Sequence, residues 1–336
     1  MIILSIESSC DDTAIAILNE RKVLVSLVAS QVEDHIVFGG VVPEIASRMH
    51  IDAISNLYNE ALKRAKLTID DIDAIAVTYA PGLIGSLLVG VNFAKGLSLA
   101  TNKPLIPVHH LRSHIAANYI THPELEPPFL ALVISGGHSH IINVKDYTDY
   151  EIIGRTRDDA AGECFDKTAR ALGLPYPGGV HLDKIANKGN PDTYKLPKPK
   201  IEGNQLDFSF SGLKTAVLNT INNSKQKGVD VNVEDMCASI RKTVVDILVD
   251  KISVAFEKVK PEKFVLAGGV SANSEIRSKM KDFCEKNNVK FYTPDLNLCG
   301  DNAAMVAAQG FYEFKSGNIA DKSLNAYATL SIDTLK

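Results

Sequence analysis

The chain has 336 residues, of which 45% are hydrophobic and 23% are charged, and its formal net charge is −4. This length and composition are typical of a globular protein and are sufficient for two domains, each with its own hydrophobic core. The negative charge excludes a general attraction to nucleic acid, so any contact with RNA requires local basic patches or a partner protein.

The start of the chain and its cysteines indicate a cytoplasmic protein. The sequence MIILSIESSCDD has no basic region, and its apolar run of about six residues is too short for a signal peptide. The five cysteines contain no C-x-x-C pair, so neither a disulfide framework nor a cysteine zinc site is expected. They are Cys10, Cys164, Cys237, Cys284 and Cys299.

Two segments share a design in which an apolar strand enters a polar or glycine turn and a second apolar strand follows. The first is IILSI-ESSCDDT-AIAIL, and the second is FLALVI-SGGHS-HIINV. The second begins roughly 130 residues after the first, which is the scale of a duplicated domain rather than of a short repeat. The sequence therefore predicts an α/β protein with two related lobes.

Helices and strands are predicted to alternate along the rest of the chain. A helix near 44–66 precedes the strand IDAIAVTYA, and the turn PGLIGS then leads into an apolar helix that ends near Asn102. Four glycines and Lys95 interrupt the apolar stretch 82–100, so we predict a buried helix and no membrane span. The strand FVLA meets Gly268 and Gly269 before another helix, and 190–205 is predicted to be an exposed loop.

His110 and His114 are four residues apart, so a helix would place both imidazoles on one face, as a metal site needs. On spacing alone, packing or chance is the commoner explanation of such a pair, and His109 beside them is expected to pack or to cap. Asp301 could supply a third ligand, although an aspartate at a helix start could also be only an N-cap. Two histidines and a carboxylate would leave coordination positions open for a ligand.

A zinc protease is one alternative for such a histidine pair. Its H-E-x-x-H motif needs a glutamate directly after the first histidine to activate water. Leu111 occupies that position and cannot act as a base. The metalloprotease interpretation is therefore disfavoured.

Glycine-rich turns indicate a phosphate-bearing ligand. Ser135, Gly136 and Gly137 follow a buried strand, where glycines would let backbone N–H groups approach phosphate oxygens, although a tight hairpin explains them as well. Gly268 and Gly269 precede a helix N-terminus, which favours anions. The first turn instead carries Glu7, Asp11 and Asp12, which would repel bare phosphate unless a cation or an amine lies between.

A helix–turn–helix pattern is predicted within AGECFDKTARALGLPYPGGVHLDKIA. It carries Asp166, Gly178, Gly179 and Asp183. For any one of these residues, a solvated position on a helix–turn–helix element is favoured over a ligand site.

In combination these motifs resemble one family, the threonylcarbamoyl transferases of tRNA of the bacterial TsaD type, formerly called glycoproteases. The resemblance covers nearly the whole chain and is carried, in order, by IESSCDDTAIAIL, GGVVPEIASRMH, APGLIGSLLVG, PVHHLRSHIAA, ALVISGGHSH, GECFDKTARALGLPYPGG, FSFSGLKTAV, LAGGVSAN and GDNAAMVA. Val180 and His181 depart from the family, which often has proline there.

The resemblance implies a duplicated two-lobe actin-like ATPase (ASKHA) architecture of the actin/Hsp70/sugar-kinase superfamily, with the ligand cleft between the lobes. One lobe would span residues 1–116 and be completed by a C-terminal helix at 302–336, and the other would span 117–301. The implied reaction moves a threonylcarbamoyl group from threonylcarbamoyl-AMP to the exocyclic amine of the tRNA adenosine just 3′ of the anticodon, releasing AMP.

The resemblance also implies roles for individual residues. His110, His114 and Asp301 would hold one divalent metal, Fe²⁺ in the first place and Zn²⁺ as the alternative. Asp11 would steer or deprotonate the amine. The adenylate would be held by Val133, Ile134, Ser135, Gly136, Gly137, Asp166, Gly179, Asp183 and Asn273.

Implied partners are tRNA, a TsaB-like inactive paralogue and a TsaE-like ATPase, with no membrane. The basic residues proposed to meet RNA are Lys195, Lys198 and Lys200 in the loop, with Arg241 and Lys242. Two other classes remain open: a sugar or acetate-type kinase on the same fold, which would not require the histidine pair, and a non-catalytic scaffold paralogue, which should have lost the metal ligands.

Overall fold

The computed structural model describes residues 1–199 and 201–334, and Lys200 of the predicted RNA-binding lysines lies outside them. Within these residues the chain forms ten strands and ten α-helices. The strands are β1 (Ile2–Glu7), β2 (Asp12–Asn19), β3 (Lys22–Ser30), β4 (Ala74–Ala80), β5 (Leu105–His109), β6 (Phe129–Ile134), β7 (Ser139–Asp146), β8 (Asp149–Arg155), β9 (Lys263–Ala267) and β10 (Lys290–Tyr292).

The helices carry the connections between the strands. They are α1 (Val32–Ile36), α2 (Pro43–Ala65), α3 (Ile84–Thr101), α4 (His110–Thr121), α5 (Ala161–Ala171), α6 (Gly178–Ala186), α7 (Ser211–Gln226), α8 (Val233–Val259), α9 (Ser274–Lys286) and α10 (Ala303–Lys315). A 3-10 turn at Gly269–Ala272 separates β9 from α9.

Two five-stranded sheets have the same topology. Their strand orders are β3-β2-β1-β4-β5 and β8-β7-β6-β9-β10, so each strand of the first sheet has a counterpart in the second. In the first sheet β1 pairs antiparallel with β2 and parallel with β4, and in the second β6 pairs parallel with β9. The duplication predicted from the two similar sequence segments is therefore confirmed.

The central strands are apolar on both faces because helices cover them. All seven residues of β4 and all six of β6 are buried, which is typical of parallel strands packed on both sides. The predicted helix near 44–66 is α2, and the predicted strand IDAIAVTYA contains β4. The predicted helix–turn–helix consists of α5 and α6.

The chain divides into two compact units. The first unit comprises Met1–Pro128, Val144–Glu151 and the chain from Pro294 onward, and the second comprises Phe129–Asn143 and Ile152–Thr293. These bounds differ from a division after residue 116, because α4 continues without a break to Thr121. The predicted C-terminal helix 302–336 is also shorter than expected, since α10 ends at Lys315, before Gly317 with a φ of +81°.

Helix α3 is the apolar helix predicted to end near Asn102. Its length and mean hydropathy of 1.3 meet the criterion for a membrane span, a criterion that core helices also meet. The helix packs against β4 and α2 and buries Leu87, Val91 and Ala94 on one face, whereas Leu99 is 64% exposed. The predicted burial therefore holds for one face only.

Candidate metal centre and ligand cavity

His109, at the junction of β5 and α4, fixes the start of the helix that carries the histidine pair. Its Nδ1 accepts a hydrogen bond from the backbone N–H of Leu111 at 3.2 Å, and its Nε2 lies 3.1 Å from the carbonyl oxygen of Leu330. The first contact requires an unprotonated Nδ1, so Nε2 carries the proton and donates it in a hydrogen bond to the carbonyl oxygen of Leu330. His109 thus caps α4, as one of its two predicted roles, and is turned away from the metal centre.

His110, His114 and Asp301 converge in the first unit. Nε2 of His110 lies 3.5 Å from Oδ1 of Asp301, and Nε2 of His114 lies 3.2 Å from the same oxygen. The three potential ligand atoms all lie within 4.8 Å of one another. Both histidines are buried, because α4 packs against α10. The spacing of four residues on α4 therefore places both rings on one face, next to Asp301, which lies two residues before the start of α10.

Asp301 is not the N-cap of α10. That position is occupied by Asn302, whose side-chain oxygen accepts a hydrogen bond from the backbone N–H of Met305 at 2.9 Å. The capping role considered for Asp301 is therefore wrong, since the neighbouring amide performs it. The carboxylate of Asp301 is instead directed at the two imidazoles.

Glu7, at the end of β1, holds the ring of His110. Its fully buried carboxylate accepts hydrogen bonds from the backbone N–H of Ser9 and the hydroxyl of Thr78, both at 2.6 Å. It also lies 3.1 Å from Nδ1 of His110. A carboxylate on one ring nitrogen leaves the other to face the ligand position, an arrangement common around metal-bound histidines.

The pKa values of this pair move apart. Burial alone would lower the pKa of His110, but the negative charges of Asp301 and Glu7 outweigh it and raise the value to about 9. Burial alone would raise the pKa of Glu7, but attraction to His110 and their hydrogen bond lower it. Without a cation at the centre, the pair is therefore a buried ion pair at neutral pH.

The donor set fits a divalent metal ion. Among the described residues, neither buried ring nitrogen of His114 makes a hydrogen bond, although Nε2 lies 3.2 Å from Oδ1 of Asp301. A buried imidazole that makes no hydrogen bond is costly, and coordination of a metal by Nε2 together with Asp301 would reduce that cost. Two imidazoles and one carboxylate are ligands that Fe²⁺ and Zn²⁺ accept, with further positions left for a substrate.

Asp11 lies in the turn between β1 and β2. Burial is the main cause that raises the pKa of the Cys10 thiol, and the charges of Asp11 and Asp301 raise it further, so these two carboxylates share one electrostatic environment. Burial also raises the pKa of the neighbouring Asp12 to about 7. The turn thus combines one partly exposed carboxylate with one whose charge is suppressed.

The second unit contains a cavity of about 260 Å³. Its lining includes Gly136, Asp166, Gly179, Asp183 and Asn273 from the predicted substrate-binding set. Gly162, Phe165 and Val180 also line it, although none of them was predicted to bind the ligand. Five of the nine predicted residues are therefore brought together by β6, α5, α6 and the turn before α9.

The remaining predicted residues contribute in another way. The side chains of Val133 and Ile134 are fully buried in β6, so only their backbone could meet a ligand. Ser135 accepts a hydrogen bond from the N–H of Gly162 at its carbonyl oxygen, which joins the glycine turn to the start of α5. Gly137 is exposed but does not line the cavity.

Glycines at this cavity have two different roles. A Cβ on Gly162 would lie 2.6 Å from the carbonyl oxygen of Ser135, and one on Gly268 would lie 2.4 Å from that of Ile134. Gly268 also has a φ of +90°, which disfavours any other residue. A Cβ on Gly136 or Gly137 would meet no atom of the protein within 4 Å. The first two glycines permit close backbone packing, whereas Gly136 and Gly137 leave open space.

Three of the basic residues expected to meet RNA already contact acidic side chains. Arg241 is only 8% exposed and its guanidinium contacts Asp183, so its predicted role at an RNA surface is wrong. Lys242 lies 3.4 Å from the carboxylate of Asp192. Lys198 lies 2.8 Å from that of Asp250, whereas Lys195 is exposed.

The repeated sheet defines the class of protein. Full-length HypF in a phosphate- and nucleotide-bound form has a TM-score of 0.64 at 15% identity, covering 97% of this chain and 47% of that one. Component A of the (R)-2-hydroxyglutaryl-CoA dehydratase of Acidaminococcus fermentans has a TM-score of 0.55 at 16% identity, covering 94% and 98%. The chain has the duplicated α/β fold of the actin-like ATPases and sugar kinases.

Comparison with known sequences identifies the family within that class. The family model of TsaD, tRNA N6-adenosine threonylcarbamoyltransferase, matches residues 22–308. A protein of that name from Clostridium perfringens (strain ATCC 13124) is 51% identical over 332 residues, 98% of each chain. One from Clostridium botulinum (strain 657) is 50% identical over 331 residues, 98% of this chain and 97% of that one. This chain belongs to the tRNA N6-adenosine threonylcarbamoyltransferases, and its activity is that of a threonylcarbamoyl transferase.

Proposed function

We propose that the donor is threonylcarbamoyl-AMP and that the acceptor is the exocyclic amine of the tRNA adenosine 3′ of the anticodon. The amine nitrogen would attack the carbonyl carbon of the mixed anhydride, the bond from that carbon to the phosphate oxygen would break, and AMP would leave as the amine loses a proton. The observation that carries the proposal is the convergence of His110, His114 and Asp301 in a member of this family.

The cavity of the second unit would bind the adenylate. Gly136 and Gly179 leave room for the backbone to approach the ligand, and Asp166, Asp183 and Asn273 surround that space with polar groups. Asp166 also accepts a hydrogen bond from the N–H of Gly179 at 2.9 Å, which fixes the start of α6 beside it. Catalysis would depend mostly on orientation, because the adenine amine is a poor nucleophile.

One divalent metal, Fe²⁺ in the first place and Zn²⁺ as the alternative, would be held by His110, His114 and Asp301. When bound, it would neutralise phosphate charge and polarise the acyl group. Glu7 would keep the ring of His110 turned towards that position. Asp11 would orient the amine or accept its proton, since it is a partly exposed carboxylate near the ligand set.

The proposed setting is the cytoplasm, with no membrane, together with a TsaB-like inactive paralogue and a TsaE-like ATPase. The net charge of −4 supports a need for partners, since affinity for RNA rises with the number of phosphates that basic residues neutralise.

Transfer with purified components tests the proposal. The protein, its expected partners, the donor and unmodified tRNA are combined, and transfer to the anticodon-loop adenosine is followed together with release of AMP. We expect both products in equal amounts. Absence of transfer by a metal-loaded protein with its partners would contradict the proposed donor and acceptor. ATP-dependent phosphorylation of a sugar or acetate would favour the kinase interpretation instead.

A further inference from the structure

Arg241 on α8 is a buried charge whose contacts all go to one short segment. Its side chain is 9% exposed. Its Nη1 lies 2.8 Å from Oδ1 of Asp183, 2.9 Å from the carbonyl oxygen of Asp183 and 2.7 Å from Oδ1 of Asn187. Burying a guanidinium is costly unless it is paired, so these contacts determine where the side chain lies.

Asp183 is held from a second side by the start of α9. The backbone N–H of Ser274 donates to Oδ2 of Asp183 at 3.0 Å, and the hydroxyl of Ser274 donates to Oδ1 at 3.1 Å. A carboxylate offers about four acceptor positions. Arg241 and Ser274 fill three of them, which leaves about one position, on Oδ2, for another donor.

Asp183 lines the cavity of the second unit, whereas Arg241 is not among the residues that line it. A group that cannot touch the ligand can still affect binding by fixing the group that does. Such supporting contacts reduce the freedom of the binding side chain and keep it in the productive orientation.

We propose that Arg241 is a positioning residue, which holds the carboxylate of Asp183 so that its remaining acceptor position meets a donor group of the ligand in one geometry. This inference rests on the proposed function, because it takes the cavity to be the adenylate site. It assigns to Arg241 a part in donor binding instead of the RNA contact predicted from its charge.

The first test measures AMP binding by titration calorimetry. Arg241→Met keeps the length of the aliphatic stem but removes the donors, and we expect AMP to bind about tenfold more weakly. Arg241→Lys should bind with an intermediate affinity, because a lysine keeps the charge and three donors but ends one bond short of the position of Nη1. Lys242→Met is the matched control, since Lys242 is the next residue of α8 and is half exposed, and its affinity should not change.

A double-mutant cycle separates positioning from general stability. If Arg241 acts through Asp183, then Arg241→Met should cause no further loss of AMP affinity in an Asp183→Ala background. Additive losses, or unchanged affinity in folded Arg241→Met, would overturn the inference alone. Should Arg241→Met fail to fold, unchanged affinity of Arg241→Lys would overturn it equally. Absence of AMP binding by the unsubstituted protein would overturn both the cavity assignment and this inference.

Discussion

The candidate metal centre of the first unit is built from side chains, whereas the cavity of the second unit includes four glycines in its lining. At the metal centre, His110 and Glu7 are oriented by hydrogen bonds and charge before any ligand arrives. At the cavity, Gly136 leaves open space, and Gly162 allows α5 to pack against the turn after β6. Ligand binding at the first site should therefore be sensitive to substitutions that change the chemical group of a side chain. Binding at the second should be sensitive to substitutions that enlarge a glycine.

The largest expected effect is loss of metal on removal of the histidines. His114→Ala should lower metal affinity at least about a hundredfold while leaving the fold intact, because the ion pair between Glu7 and His110 remains. Adding His110→Ala should also destabilise the protein, since it leaves the carboxylate of Glu7 buried without its partner. Elemental analysis and thermal unfolding measure the two effects.

His122→Ala is the control for that experiment, because His122 follows the end of the same helix and is partly exposed. Its metal content should equal that of the unsubstituted protein. Stoichiometric metal in the His110→Ala/His114→Ala variant would place the metal site elsewhere.

Substitution of two glycines at the cavity should have different effects, one on stability and the other on AMP binding. Gly162→Val should destabilise the protein by about 1–3 kcal/mol, because its Cβ would overlap the carbonyl oxygen of Ser135. Gly136→Val should leave the free energy of unfolding nearly unchanged, yet weaken AMP binding about tenfold by occupying open space. Denaturant unfolding and calorimetry distinguish them. Equal AMP affinity in folded Gly136→Val would mean that the turn is only a hairpin.

The apparent metal affinity of the site formed by His110, His114 and Asp301 should depend on pH. The pKa of His110 is raised to about 9, and a protonated imidazole cannot coordinate a metal. Apparent affinity should therefore rise about tenfold per pH unit from pH 7 towards 9 and then level off, with one proton released. Titrations at several pH values measure the slope, and an affinity that is flat across this range would contradict the ion pair.

The same shift predicts the stability of the metal-free protein. Since the folded pKa of His110 lies above its ordinary value of 6.5, its stabilising contribution is complete below that value and is lost as pH rises through about 9. The contribution of Glu7, whose pKa is lowered from 4.5, is present above that value and is lost as pH falls. The test is to measure the unfolding midpoint at several pH values between about 4 and 9, for the unsubstituted protein and for an Asp301→Asn variant.

The smallest expected effect concerns the exposed loop. Changing Lys195, Lys198 and Lys200 to glutamate should make the slope of log activity against log salt concentration less steep. The change should correspond to the loss of less than one phosphate contact per lysine, because Lys198 is already paired with Asp250. AMP affinity and metal content should not change. Transfer measured at several salt concentrations gives the slope, and an unchanged slope would remove the loop from the RNA surface.

Local patterns in the sequence predicted the elements but not all of their contacts. The shared face of His110 and His114 follows from their spacing once the segment is helical, and the duplication follows from two similar strand–turn–strand segments. The position of Arg241 against Asp183 does not, because it depends on how α8 packs against α6. A lone arginine in a sequence shows its charge but not its burial. The need for glycine at Gly162 likewise depends on the approach of another segment, since nothing in its helical neighbourhood requires it.

The late position of Asp301 has a consequence for the order of folding during synthesis. Domains generally fold as units, those nearer the N-terminus first, while the chain is still being made, but the first unit is not continuous in sequence. His110 and His114 leave the ribosome early, but Asp301 follows only after the whole second unit has been made. Helix α10, which packs against β1 and β2, comes later still. His110 and His114 therefore remain without this carboxylate until the whole second unit has been made, and the proposed metal site is complete only after that point.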